Sequence, residues 1–600
     1  MFQSFVEIAT PEQGPPRLAL LRQVMAQEGL SGFMVPRADA HQGEYVAPRD
    51  DRLAWLTGFT GSAGFCIVLA ERAAVFVDGR YRAQVKGQVD TSCFTPVNWP
   101  ETKPARWLAE SLPNGGLIGF DPWLYTAEQL EALLKGLEGT GITLKPVGNL
   151  IDRIWPDQPA PPQGRITPYP AELAGMSHEE KRLSLAEVLK AAGQSAAVIT
   201  LPDSIAWLLN IRGSDIPRNP VPHGFAILHD TGRVTFYVDA AKTDDSLLAA
   251  LGDQVLVRPV AAFTPGLQSL TGTIRLDKGS VPVWIVDTLT EANVAYRWGQ
   301  DPCILPKACK TEAEIASTRE AHLRDGAAVC NFLSWFDAQA PGTISEIDVV
   351  RQLETCRRDT GKLLDISFDT IAGAGPHGAL PHYRVSQGSN RILQAGDLLV
   401  LDGGGQYLDG TTDITRTLPM GDPGPEERAA FTRVLQGMIA MSRVRFPRGI
   451  AGRDLDVLAR YPLWLADQDY GHGTGHGVGV HLCVHEGPQR LARSSHEPLQ
   501  PGMILSNEPG YYREGAFGIR IENLLVVQPA ETLPDGDPGA RLCFETLSFV
   551  PIDRRLIDSD TLAPAEREWL DSYHEACLTK IGPRLTGAAL DWLQKATRPL

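Results

Sequence analysis

The sequence predicts an α/β protein in three parts: two similar N-terminal α/β domains, then a larger third domain that ends in helices. Three observations carry this. Helix-like and strand-like patterns alternate along most of the chain, as in folds that lay helices on sheets. A run with six prolines, WPDQPAPPQGRITPYP from Trp155 to Pro170, separates two segments of similar order. Proline fixes φ and removes a donor, so such a run reads as a linker. Beyond Cys309 the order changes, and seven of the thirteen histidines fall between 377 and 496. The domains are expected at 1–160, 161–308 and 309–600.

The two N-terminal segments match element by element. The first has a helical pattern (PRLALLRQVMAQEGL), an apolar strand (SGFMV), then LAWLTGFTGSAG. The second has SHEEKRLSLAEVLKAAG, SAAVITL and IAWLLNIRGSD. Ser177 and Glu180 have the spacing of a capping box. Each segment then reaches a strand closed by an aspartate, AVFVD at Asp78 and TFYVD at Asp239. The shared order points to duplication.

In the third part, Thr311 and Glu314 predict another capped helix, running towards Phe336. Helical patterns recur at 345–358, 426–445 and 454–467, and again in the tail after Thr561. Between them lie strand-like runs: DLLVLD, ITRTLP, MILSNEP and FGIRIENLLVV.

Composition excludes several classes. The 600 residues carry a net charge of -16, with no basic block. Phosphate binding needs clustered cations, so nucleic acid is not an expected partner. Nine cysteines without a C-x-x-C pair read as reduced thiols, not a disulfide framework or a thiolate zinc site. There is no apolar run of about 18 residues and no signal-peptide pattern at the start, so the expectation is a cytoplasmic protein without a membrane span.

The stretch GHGTGHGVGVHLCVHEGP, Gly471–Pro488, holds His472, His476, His481 and His485. The His-x-x-x-His spacing suits a zinc helix. Five glycines between Gly471 and Gly479, each costing a helix ~1 kcal/mol, rule the helix out. The acids nearby sit at strand ends and on strand faces. Asp402 closes an apolar run and precedes three glycines. Asp413 is expected inside a strand, sharing a face with Thr415. Glu508 follows MILSN. In GIRIEN, Arg520 and Glu522 point opposite to Ile519 and Ile521. A buried charged pair is costly unless something compensates it, and a metal would do so. Taken singly, each residue has a plainer reading: a turn or helix cap, a surface ion pair, a structural or exposed histidine for His481.

Taken together, DGGGQYLDGTTDITRT, HGTGHGVGVHLCVHEGP, NEPGYY and GIRIEN resemble the metal signature of the pita-bread metallopeptidases. Within that group the chain is similar to the three-domain Xaa-Pro aminopeptidases, the aminopeptidase P family. The similarity extends to DAHQGEYVAPRDDRLAWLTGFTGSAG, VDGRY, PDSIAWLLNIRGSD, FETLSFVPID and the helical tail. It implies two creatinase-like N-terminal domains before a pita-bread catalytic domain. It implies that Asp402, Asp413, His476, Glu508 and Glu522 hold two divalent metals, with Asp413 and Glu522 touching both. His382 would stand at the substrate mouth, and His485 would contact the scissile peptide and move protons. His472 would shape the proline pocket, Phe368 would line the channel, and Tyr512 and Arg520 would support the ligands. Glu508 would act as general base, and His481 receives no role. Four carboxylates and one imidazole make a hard, oxygen-rich site that suits Mn2+, with Co2+, Zn2+ or Fe2+ also able to bind.

The implied activity is hydrolysis of the N-terminal Xaa-Pro bond of peptides by a hydroxide shared between two metals, in a cytoplasmic homodimer. The alternatives are a prolidase, which cleaves Xaa-Pro dipeptides with the same ligands, and a catalytically inactive binding protein on the same scaffold. Metal-free relatives of the fold lack these ligands, whereas all five are present here.

Overall fold

The computed structural model describes residues 1–600. The chain divides into two compact units: one holds Ile8–Ala171 and Met176–Ile304, the other Met1–Glu7, Glu172–Gly175 and Leu305–Leu600.

The first unit contains two six-stranded sheets with the same topology. In the first sheet, Gly32–Pro36 is flanked by antiparallel Phe65–Leu69 and parallel Gly116–Phe120. In the second, Ala196–Ile199 is flanked by antiparallel Phe225–His229 and parallel Thr273–Leu276. Both sheets continue outwards through an antiparallel and then a parallel strand on one side, and a parallel strand on the other. This repetition is the duplication expected from the sequence. The helix His178–Ala191 starts at the predicted box: Ser177 Oγ accepts from Glu180 N, and the Glu180 carboxylate accepts from Ser177 N. Its Leu185 and Leu189 are buried, four residues apart on one face.

The second unit packs long helices against curved antiparallel sheets. The helix Glu312–Asp337 begins at a Thr311–Glu314 capping box, and Glu346–Arg358 at a Ser345–Asp348 box. One three-stranded sheet sets Leu398–Gly403 between Ile371–Ala374 and Ile414–Pro419, all antiparallel. A six-stranded sheet places Gly475–Gly477 between Glu486–Leu491 and Ile504–Asn507, with Asn523–Ala530 next in order. The main core joins Leu333, Phe336, Val350, Leu399, Leu435, Ile519 and Ile521.

Two elements differ from expectation. Asp413 lies just before Ile414–Pro419, not within a strand. FGIRIENLLVV is two strands, Phe517–Arg520 and Asn523–Ala530, in different sheets. The break puts Glu522 between them, where its main chain turns towards Thr415: Glu522 N donates to Thr415 O at 3.1 Å.

Candidate active site

Strand ends bring five side chains together. Asp402 lies near the end of Leu398–Gly403, directly opposite Thr415 in the neighbouring strand. His476 is the middle residue of Gly475–Gly477, and Glu508 follows Ile504–Asn507. Gly477 pairs with Leu505, and Asn507 with Asn523, so adjacent strands carry His476, Glu508 and Glu522 to one end of the sheet. The glycines have a steric purpose. A Cβ on Gly475 would collide with the Ser506 carbonyl, and one on Gly404 with the Thr412 carbonyl. These approaches press His476 and Asp402 into the cluster.

His476 Nδ1 meets the Gly477 carbonyl at 2.9 Å, so this nitrogen carries the proton. Nε2 is turned towards Asp413 Oδ2 at 3.6 Å and Glu508 Oε1 at 3.5 Å. Asp413, His476 and Glu522 each offer an atom within 4.8 Å of the others. Asp402 Oδ1, Asp413 Oδ1 and Glu522 Oε1 are buried without a hydrogen-bond partner. Burial pushes the Asp413 carboxyl well above its usual range, and Asp402 and Glu508 push it further. Glu522 is raised well above its usual range by burial and then by Asp413, Asp402 and Glu508. Burial also raises Glu508, against the pull of His476 and Arg520. Clustered anions with bare inward-facing oxygens are the donor set that hard divalent cations take up, and the single imidazole suits a first-row transition ion.

Arg520 is the guanidinium that pairs with a carboxylate of this cluster. Its Nη2 donates to Asp402 Oδ2 at 2.6 Å and Pro381 O at 3.1 Å, its Nη1 to the Tyr512 hydroxyl at 2.5 Å, and its Nε to Thr415 Oγ1 at 3.3 Å. The relay continues outward. His472 Nδ1 meets Gly473 O at 2.7 Å, which leaves Nε2 to accept from the Tyr512 hydroxyl at 2.9 Å. Burial lifts the Tyr512 phenol to about 12, so it remains a donor at neutral pH. Asp402, Arg520, Tyr512 and His472 are therefore one chain of contacts. The His485 ring stands edge-on to His476, with centroids 4.2 Å apart. His382 follows Pro381, the residue tethered by Arg520. Phe368 packs against the main core next to Ser367, whose hydroxyl donates to Thr412 O at 2.9 Å. His481 is buried with φ 48°.

Sequence reasoning missed the residues that hold this frame. Thr415 Oγ1 donates to Glu522 Oε2 at 2.8 Å. Glu486, beside His485, is clasped by Lys307 at 2.8 Å and Lys310 at 2.5 Å. Arg357 pairs with Asp325 at 2.8 Å and donates to Gly403 O at 2.8 Å, bracing the strand of Asp402. Glu346 accepts from Ala374 N, His377 Nδ1 and the Tyr383 hydroxyl, at 2.8 to 3.0 Å, and so organises the loop that carries His382. Only Thr415 left a trace in the sequence, as the residue sharing a strand face with Asp413. The others are pairings across tens to hundreds of residues.

The family models agree with this geometry. Residues 316–529 match metallopeptidase family M24 and residues 540–600 its C-terminal region; 17–154 and 157–314 each match the creatinase/prolidase N-terminal domain. A probable Xaa-Pro aminopeptidase P from Laccaria bicolor is 39% identical across 97% of this chain and 93% of its own. This chain belongs to metallopeptidase family M24, in its aminopeptidase P form. Aminopeptidase P2 of Arabidopsis thaliana is 37% identical, over 97% of this chain and 88% of its own. An X-prolyl aminopeptidase from Caenorhabditis elegans, described as a cytosolic enzyme with a di-nuclear active site, superposes with a TM-score of 0.93. It is 32% identical, covering 98% of this chain and 100% of that one. The M24 chain described here thus has two creatinase-type N-terminal domains and a catalytic domain of mixed sheets and helices. No helix in it is long and apolar enough to cross a membrane.

Proposed function

We propose that this chain is a metal-dependent aminopeptidase that removes the N-terminal residue of peptides when proline follows. The observation that carries the reading is the set of four under-compensated carboxylates around His476, three of them buried and Glu508 partly so. Similarity to Xaa-Pro aminopeptidases along the full length, both N-terminal domains and the tail included, supports it over a prolidase. The domain limits that go with this reading are 1–160, 161–308 and 309–600.

In this reading Asp402, Asp413, His476, Glu508 and Glu522 hold two divalent cations, with Mn2+ the best match to four carboxylates and one imidazole. When bound, such cations would supply Lewis acidity at the scissile carbonyl and acidify the attacking water. The chain's own groups do the rest. Glu508, at the end of Ile504–Asn507, accepts the proton of the attacking water. His485 contacts the scissile peptide and delivers a proton to the leaving proline nitrogen. His382 closes the mouth, Phe368 lines the channel, and His472 with Tyr512 and Arg520 keeps the proline pocket and Asp402 in register. A bond before proline is a tertiary amide without N–H, so recognition rests on the ring and not on a donor.

A homodimer is consistent with an exposed apolar stripe of Val457, Tyr461, Trp464 and Leu465, 40–73% exposed at helical spacing. The cytosolic description of the C. elegans relative supports a cytoplasmic location.

The deciding experiment is a peptide panel read by mass spectrometry, with and without added Mn2+. Arg-Pro-Pro and Ala-Pro-Ala are cut after the first residue. Ala-Ala-Ala is a poor substrate, losing ~1–3 kcal/mol of transition-state binding from an unfilled ring pocket. N-acetyl-Ala-Pro-Ala resists, and the dipeptide Ala-Pro is weak. Rapid cleavage of Ala-Pro with inert tripeptides would make the enzyme a prolidase.

A further inference from the structure

A second cluster of ligand-type side chains lies far from the catalytic carboxylates in sequence, inside the unit that holds both N-terminal sheets. Asp39 and Asp50 come from the first sheet's domain, in DAHQGEYVAPRDD, and His223 from the second's. Asp39 is 2% exposed. Its Oδ1 is satisfied, accepting from His41 N at 2.9 Å and Gly43 N at 3.1 Å. Its Oδ2 is not: it faces His223 Nε2 at 3.3 Å, and neither atom has a partner with hydrogen-bond geometry. Asp50 adds a carboxylate oxygen, so that three ligand-type atoms lie within 4.8 Å of one another.

The cations nearest the cluster are already engaged. Arg52 is shared between Asp50, at 2.9 Å, and Asp152, at 2.6 Å. Lys242 is committed to Asp215 at 2.8 Å.

His223 is held as a ligand would be. Its main-chain N donates to Asp215 Oδ2 at 2.6 Å, and its carbonyl accepts from Lys242 Nζ at 3.3 Å. Its ring packs against His41, centroids 4.5 Å apart, and His41 in turn stacks on Phe225 at 4.6 Å and meets Thr200 O at 3.1 Å. Two ligand atoms each about 2.1 Å from one tetrahedral ion stand about 3.4 Å apart. The 3.3 Å between Asp39 Oδ2 and His223 Nε2 is that edge.

We propose that Asp39, Asp50 and His223 form a divalent transition-metal site, best suited to Zn2+, that joins the two N-terminal domains. Two carboxylates and one imidazole fill three tetrahedral positions, and water takes the fourth. The nitrogen ligand selects against Ca2+ and Mg2+, which take oxygen. The site has no part in peptide hydrolysis, and its worth is in holding the two sheets together.

The test is made on the full chain, stripped of metal and reloaded with Zn2+. Wild type binds one more Zn2+ per chain than His223→Ala, whatever the catalytic site holds. The Mn2+-loaded His223→Ala enzyme keeps its activity within twofold. In an Asp413→Asn background, Zn2+ still raises Tm, and adding His223→Ala abolishes the rise. Equal metal counts in wild type and His223→Ala overturn the site and leave a plain Asp39–His223 ion pair. Because any variant can fold poorly, wild-type crystals soaked in Zn2+ provide an independent reading. An anomalous peak bonded to His223 Nε2 supports the site, and its absence at saturating Zn2+ overturns it.

Discussion

Glu486 and Glu522 belong to the same compact unit and are 3% and 1% exposed, yet their surroundings are opposite. Glu486 has a lysine on each carboxylate oxygen, and both lysines are 1% exposed. Glu522 has a threonine hydroxyl on one oxygen and nothing on the other, with Asp413, Asp402 and Glu508 as charged neighbours. A buried charge survives when cations and donors surround it. Glu486 is therefore complete as folded and has a structural task, whereas Glu522 and its neighbours require a cation from outside. The difference separates frame from active site without reference to any motif. His574 shows a third solution: it is fully buried and stays neutral, Nε2 accepting from Ile552 N at 3.1 Å.

The comparison breaks most visibly at Asp413. Asp413→Asn removes charge from the under-compensated cluster, so metal content and activity fall together. The loss exceeds that of any proton-transfer residue. Metal analysis beside a rate assay checks this, and a mutant with full metal and native rate would overturn the ligand assignment. His485→Ala sharpens the boundary. It keeps both metals and loses ~10²–10⁴-fold in kcat, the usual contribution of a general acid or base. Loss of metal in this variant would move His485 into the ligand set.

Glu486→Gln tests the other side. It removes the buried carboxylate that Lys307 and Lys310 share, at a cost of about 3–5 kcal/mol, read from denaturant midpoints. The double variant Glu486→Gln/Lys307→Met should recover part of this. A single mutant as stable as wild type would mean that the clasp does not hold the frame.

The smallest effect is in pH. Burial depresses the His574 imidazole to about 4, from an unfolded value near 6.5. The unfolded chain binds the proton first, so the contribution of neutral His574 is fully present above pH 6.5. It is lost as pH falls towards 4. Over that window it amounts to roughly 3 kcal/mol at about 1.4 kcal/mol per pH unit. Midpoints measured from pH 7 to pH 4 should fall more steeply for wild type than for His574→Gln. Parallel curves would show that His574 is protonated alike in both states.

Much was readable because it is local. Ser177 with Glu180 and Thr311 with Glu314 satisfy helix ends within three residues, and such spacing stands in the sequence. The repeated order of helix, strand and Ala-Trp-Leu exposed the duplication, since each element carries its own hydrophobic period. The four acids and one histidine implied by the resemblance could be named in order. What they would meet could not. Lys307 and Glu486 are 179 positions apart and Arg357 and Asp325 are 32 apart, and no periodicity links them. Gln3 exchanges hydrogen bonds with Thr370 across 367 residues, which ties the chain's first residues to the catalytic unit. FGIRIENLLVV read as one strand because nothing local marks the turn at Glu522. That turn arises where Thr415 draws the chain between two sheets.

The sequence by itself determined which residues would form helices and strands, how the N-terminal half repeats, and which side chains have ligand chemistry. Those depend on steric and hydrogen-bond preferences spanning a few residues. Tertiary structure alone decided which buried charges are paired and which are left to be completed. A charge's fate depends on the cations and donors that packing brings within about 4 Å, from wherever in the chain they come. Glu486 and Glu522 are the same residue type at similar depth, and only that neighbourhood separates them.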